Sequence, residues 1–152
     1  MAVPSIDDRT RAVLEQVDAE ETVELARALV RVPSVTGREG REISEFVRDW
    51  LRAADLDAGL QEVAPNRANV YARLPGATGG PRLLLNGHLD TKPFDHMTID
   101  PLGAEIRDGR LYGRGAADMK SAVAACMIAM KAVARSGVPL HGMLLFGSEV
   151  GE

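Results

Sequence analysis

Two early segments of the chain carry apolar residues at the spacing of an amphipathic helix. The first follows Asp18, an N-cap residue with a glutamate three positions later, and is stopped by Pro33. The second follows Thr36, which begins a similar capping sequence. We expect each helix to pack its apolar face on a core. The apolar positions are Val23, Ala26, Leu29 and Val30 in the first helix and Ile43, Phe46, Val47, Trp50, Leu51 and Ala54 in the second.

Short apolar runs between turn-forming residues predict strands in the rest of the chain. The run at 82–86 (RLLLN) is continuous, as expected for a strand that is covered on both faces. A third helix, from about residue 119 to 135, is apolar on almost all sides and should be buried. This order of elements predicts an α/β fold, a layered α/β/α domain with a mixed, largely parallel sheet. The predicted strands cover residues 60–63, 68–74, 82–86, 104–106, 110–112 and 143–146.

Composition narrows the class of protein. With 152 residues, 45% of them hydrophobic and 26% charged, the chain can form one ordinary domain. A net charge of −4 without a basic block, and 4% aromatic residues, argue against nucleic-acid binding. No apolar run reaches the roughly 18 residues of a membrane span. The polar N-terminus does not resemble a secretory signal, and the single Cys126 excludes an internal disulfide. We therefore expect a soluble cytoplasmic domain. The chain ends at Glu152, just after a predicted strand, so we also expect a truncated chain.

His88 and Asp90 directly follow a predicted strand, where open α/β sheets usually bind ligands. Residues two apart in an extended chain point to the same side, so this carboxylate can accept the imidazole N–H that faces away from a metal. The structural alternative is a partly buried histidine satisfied by an aspartate. From this tripeptide alone, both interpretations stay open.

Two further segments carry acidic residues among glycines. In residues 113–120 (GRGAADMK), Asp118 stands where a helix begins, so it is either a ligand or an ordinary N-cap. A dinucleotide-binding loop is rejected there because the third glycine is missing. In residues 147–152 (GSEVGE), Glu149 and Glu152 suit metal or base roles, or a solvated turn. The glycines around Ser148 do not match a serine-hydrolase elbow.

The order and spacing of these residues resemble the metallopeptidase family of aminoacylase, carboxypeptidase G, acetylornithine deacetylase and succinyl-diaminopimelate desuccinylase. The resemblance is carried by residues 84–93 (LLNGHLDTKP) and 109–120 (GRLYGRGAADMK), and the opening segment 29–36 (LVRVPSVT) is similar as well. It implies that residues 1–152 are the N-terminal portion of a metallopeptidase catalytic domain. The remaining ligands and a lid or dimerisation domain would then lie outside this sequence.

The resemblance also implies roles for individual residues. His88 would be a terminal ligand of one zinc ion, and Asp90 would orient it. Asp118 would bridge two zinc ions and be followed by a cis peptide bond. Glu152 would be the general base, with Glu149 as the alternative. His96 and His141 match no family position and stay unassigned.

The implied reaction is hydrolysis of an amide bond in an N-acyl amino acid or small peptide. Two zinc ions would activate a water molecule, and a glutamate would take its proton. Cobalt is an alternative metal. The resemblance also allows a homodimer of the full-length protein. The competing interpretation is a non-catalytic or incomplete zinc-binding fragment of the same fold, and on either interpretation the 152-residue chain itself is expected to be inactive.

Overall fold

A computed structural model describes residues 6–151. Within these residues four α-helices and six strands follow one another, and a kinked turn (Ala116–Lys120) precedes the last helix. The helices are α1 (Asp8–Leu14), α2 (Ala19–Arg31), α3 (Glu42–Ala53) and α4 (Ser121–Arg135). The strands are β1 (Asp57–Ala64), β2 (Arg67–Pro75), β3 (Thr78–His88), β4 (Glu105–Arg107), β5 (Arg110–Tyr112) and β6 (His141–Glu149).

The main sheet has the strand order β1-β2-β6-β3, and β4 and β5 form a separate hairpin. Pairing is antiparallel between β1 and β2 and between β2 and β6, and parallel between β6 and β3. The α/β fold with a mixed sheet is confirmed, and within residues 6–151 two of the three strand pairs of this sheet are antiparallel rather than parallel as expected. The reason is local for the first pair: only Pro65 and Asn66 separate β1 from β2, and so short a connection forces antiparallel pairing.

The core lies on one face of this sheet. Helix α3 packs on β1 and β2, helix α4 packs on β3 and β6, and the strands turn Ala72 and Phe146 toward them. On the opposite face Tyr71 is 41% exposed and Leu84 53% exposed. Within residues 6–151 the predicted α/β/α layering is therefore seen as two layers. Residues 82–86 are not covered on both faces there, because Leu84 lies on the open face of the described sheet, and β3 is its edge strand.

The helix signals differ in how well they identify the starting residue. Asp18 caps α2 as predicted, since its carboxylate accepts hydrogen bonds from the backbone N–H groups of Glu20 and Glu21. The predicted cap at Thr36 is wrong, because α3 begins only at Glu42. The apolar face of α3 is buried as predicted at Ile43, Val47 and Leu51. In α2, by contrast, Val23 is 42% exposed.

The last helix begins two residues later than predicted. Asp118 and Met119 have non-helical backbone angles, so α4 starts only at Ser121. Its inner side is buried at Val123, Met127 and Met130, whereas Ala125 faces solvent. Among residues 6–151, no helix is both long and apolar enough to cross a membrane.

Candidate metal centre

His88 is the last residue of β3, and a hydrogen bond fixes the orientation of its ring. Its Nδ1 lies 3.0 Å from the backbone carbonyl oxygen of Asp90 and 3.7 Å from the carboxylate oxygen Oδ1 of the same residue. Because a carbonyl can only accept, Nδ1 carries a proton, and Nε2 faces away from this bond. The carboxylate of Asp90 was expected to take this bond, but the carbonyl is nearer. That carboxylate is 2% exposed and accepts a hydrogen bond of 2.9 Å from Thr36 Oγ1.

Asp118 lies in the turn between Gly115 and α4. A cis peptide bond joins it to Met119, as the resemblance implies. Gly115 has a φ of 78°, and a Cβ atom there would lie 2.5 Å from Cγ2 of Thr91, so the turn approaches the His88 loop closely. The N-cap residue of α4 is Lys120. The N-cap interpretation of Asp118 is therefore wrong, because its own backbone is extended rather than leading into the helix.

His88 and Asp118 meet although thirty residues separate them. Nε2 of His88 lies 3.2 Å from Oδ1 of Asp118. With Nδ1 protonated, Nε2 meets the carboxylate oxygen either as the second N–H donor of a protonated ring or as an acceptor that shares a cation with it. An imidazole nitrogen and a carboxylate oxygen are ordinary zinc ligands, so the two residues fit a divalent metal ion. Within residues 6–151, no group of three or more His, Cys, Asp or Glu side chains converges on one point. The described residues thus provide a ligand pair.

A cavity of about 180 Å³ opens beside this pair. Lys92 and Arg114 also line it and place two cationic side chains next to His88 and Asp118. The Nε of Arg114 is buried and has no hydrogen-bond partner among the described residues. An unpaired buried donor is uncommon in native proteins. Together these cations make the cavity suitable for a ligand that carries a carboxylate.

The end of β6 runs beside His88, and Glu149 is paired with it in the sheet register. The carboxylate of Glu149 accepts a hydrogen bond of 2.7 Å from Asn86 Nδ2, and its backbone carbonyl accepts from Leu89 N–H at 3.0 Å. The strand therefore continues to Glu149 rather than ending at residue 146. Glu152, the predicted base, lies outside the described residues.

The two unassigned histidines are not among the cavity-lining residues. His141 opens β6 and hydrogen bonds to Thr78 Oγ1 through its Nδ1 at 2.8 Å. His96 is an exposed loop residue with a φ of 62°.

Several residues that hold the site were missed from the sequence. Ser34 Oγ donates to the carbonyl of Leu89 at 2.7 Å, and the side chain of Lys120 is buried next to the Asp118 turn. Burial lowers the pKa of Lys120 to about 8. Both residues lie in the segments that carry the family resemblance, which is the signal that could have found them. Their residue types alone predict solvent exposure.

The comparisons with known proteins agree on one family. Residues 84–152 match the family described as Peptidase family M20/M25/M40. The chain is 38% identical to the succinyl-diaminopimelate desuccinylase of Parvibaculum lavamentivorans over 139 residues, 86% of this chain and 34% of that protein. It is 34% identical to the N-formyl-4-amino-5-aminomethyl-2-methylpyrimidine deformylase of Halalkalibacterium halodurans over 140 residues, 88% and 33% of the two chains. The chain thus spans about a third of the length of these relatives.

Solved structures share the fold. A metallo-carboxypeptidase of the M20 family from Sulfolobus solfataricus superposes with a TM-score of 0.75 at 23% identity, covering 86% of this chain and 30% of that one. A tripeptidase from Staphylococcus aureus gives 0.73 at 25% identity, covering 90% and 38%. A dinuclear metal-binding peptidase of the M20 family from Bacillus subtilis gives 0.61 at 19% identity, covering 88% and 35%. The arrangement of helices and sheet is therefore that of M20 catalytic domains.

Proposed function

This chain belongs to Peptidase family M20/M25/M40, and we propose that it forms part of a metal-dependent site that hydrolyses an amide bond. The observation that carries the proposal is the contact of 3.2 Å between His88 Nε2 and Asp118 Oδ1. With Nδ1 of the same ring bonded to the Asp90 carbonyl, Nε2 and Oδ1 are close enough together to ligate one cation. We further propose that residues 1–152 are the N-terminal portion of the catalytic domain.

In this proposal His88 and Asp118 hold the metal, which is zinc, with cobalt as the alternative. Zinc would supply a Lewis acid that polarises water and the scissile carbonyl. The Asp118 side chain is 83% exposed, so its second carboxylate oxygen is open to a second ion. The Asp90 carbonyl holds Nδ1 of the His88 ring and thereby directs Nε2 toward the proposed metal position beside Asp118.

A glutamate at the end of β6 would act as the general base, taking the proton of water and passing it to the leaving amine. We propose Glu152 for this role, as the family resemblance implies. Glu149 is the alternative, and its hydrogen bond from Asn86 already engages its carboxylate. In the full-length protein, Glu152→Gln should lower kcat by several orders of magnitude while Glu149→Gln should not.

We propose an N-acyl amino acid or small peptide as the substrate. Lys92 and Arg114 support this choice because they put two cations on the cavity wall, where a substrate carboxylate would be attracted. The relatives support it too, since the names desuccinylase and deformylase both describe removal of an acyl group. Dimer formation by the full-length protein stays a prediction, as does a cytoplasmic location, with which a single cysteine is consistent.

Zinc titration by calorimetry, together with an assay on N-acyl amino acids, tests the proposal. In the full-length protein, Asp118→Ala should abolish both zinc binding and turnover, because it removes the shared ligand. His96→Ala, which changes an exposed histidine away from the cavity, is the matched control and should change neither. Retained turnover with bound zinc in Asp118→Ala would refute the role of Asp118. Zinc binding without any amide hydrolysis would instead favour the non-catalytic alternative.

A further inference from the structure

The C-terminal end of α2 and the residues that follow it contact the loop carrying His88 and Asp90. We call residues 30–36 the α2 platform. Its residue Ser34 donates from Oγ to the Leu89 carbonyl at 2.7 Å, and the backbone carbonyl of Ser34 accepts from Thr91 N–H at 2.8 Å. Its residue Thr36 donates from Oγ1 to the Asp90 carboxylate at 2.9 Å and from its N–H to the Thr91 carbonyl at the same distance. The platform therefore fixes the loop through both backbone and side chains.

Lys120 attaches the other half of the site to the same platform. Its side chain is 1% exposed, and Nζ donates a hydrogen bond of 2.7 Å to the carbonyl of Val32. Val32 is the C-cap residue of α2, where carbonyl groups lack helical partners and where a cation is favoured by the helix dipole. Burying an ammonium group is unfavourable, and an apolar side chain would be less costly at this position. The hydrogen bond to the Val32 carbonyl is therefore the structural reason for a lysine here.

Two glycines bring the turn into direct contact with its neighbours. A Cβ atom at Gly113 would lie 2.4 Å from Val30 Cγ1 on the platform. A Cβ atom at Gly115 would lie 2.5 Å from Thr91 Cγ2 and 3.3 Å from Lys120 Cδ. The turn that carries Asp118 is thus packed against the platform on one side and the His88 loop on the other.

We propose that Lys120 is a positioning residue that ties the Asp118 turn to the α2 platform, so that the platform sets the separation of His88 Nε2 and Asp118 Oδ1. Lys120 is not among the residues that line the cavity, so it acts through Asp118 rather than on a ligand. The effect of this contact on metal affinity rests on the proposed function. The effect of the same contact on the geometry of the metal-free chain is independent of the proposed function.

Lys120→Met tests this, because methionine keeps most of the buried volume and removes only the donor. The matched control is Lys131→Met, which removes a lysine within α4, one whose Nζ pairs with Glu21. In the metal-free chain, NMR should show a changed ¹⁵N shift of His88 Nε2. It should also show about tenfold faster exchange of the Lys120 N–H, which bonds to the Gly115 carbonyl. Lys131→Met should leave both values at those of the wild type.

Metal affinity gives the second measurement. In the full-length protein, Co²⁺ should bind to Lys120→Met at least tenfold more weakly than to the wild type. Circular dichroism should confirm that the variant is folded. Wild-type values for the Nε2 shift and the exchange rate in Lys120→Met would overturn the proposal. If the full-length wild type bound no Co²⁺, the proposed function would fail, while the metal-free NMR measurements would still decide the role of Lys120. Should Lys120→Met not fold, Lys120→Gln, whose shorter side chain cannot reach Val32, takes its place with the same expected results.

Discussion

Removing the buried amine of Lys120 should change how the stability of the protein depends on pH. Burial lowers the pKa of this lysine from 10.5 to about 8 in the folded chain. Between these two values the unfolded chain binds a proton that the folded chain does not, so stability rises with pH in this window. Below about pH 8 both states are protonated and the full cost of burial is present. The shift corresponds to about 3 kcal/mol, since each unit is worth about 1.4 kcal/mol.

The assay is urea unfolding followed by circular dichroism at intervals from pH 7 to pH 10.5. The free energy of unfolding of the wild type minus that of Lys120→Met should increase by about 3 kcal/mol across this range. Taking the difference cancels groups that titrate equally in both proteins. Lys92→Met, which removes an exposed lysine, is the control and should show no such increase. A difference that stays flat between pH 8 and pH 10.5 would refute the argument that burial shifts this lysine.

Two further substitutions test the contacts around the site. Gly115→Ala should lower the free energy of unfolding by about 2–4 kcal/mol, because it adds a clash with Thr91 to the cost of a positive φ. Gly109→Ala, at a similar φ with nothing within 4 Å, should cost only about 1 kcal/mol in the same urea titration, and equal losses would show that the clash is relieved. Thr36→Val should weaken Co²⁺ binding by about tenfold, because it removes the hydroxyl that holds the Asp90 carboxylate. Thr36→Ser keeps that hydroxyl, and equal affinities of the two variants would contradict the role of this bond.

Periodicity predicted the parts of the fold whose cause is local. The apolar face of α3 is buried at Ile43, Val47 and Leu51 because helical spacing places these residues on one side. Asp18 caps α2 because its carboxylate reaches N–H groups only two and three residues away. Such contacts can be derived from sequence because both partners lie in one short segment.

Local sequence signals predicted the wrong contact where a distant partner competed with a local one. Thr36 has a capping sequence, yet its hydroxyl binds Asp90, 54 residues away, and α3 starts elsewhere. Asp118 stands where an N-cap is expected, yet its backbone is extended and its carboxylate contacts His88. In both cases the N-cap interpretation was wrong because the side chain contacts a residue in a distant segment. The pairing of β2 with β6 is of the same kind, since sequence gives no register for strands so far apart.

The three segments that carry the family resemblance form one physical unit around the end of α2. Residues 29–36 include the platform, residues 84–93 the loop with His88, and residues 109–120 the turn with Asp118. None of the three can fix a distance between two ligands alone, because each carries at most one of them. Hydrogen bonds from the platform to the loop, and from Lys120 to the platform, join them across as many as 88 residues of sequence. A ligand pair assembled in this way depends on the C-terminal end of α2 as much as on the two side chains that would touch the metal.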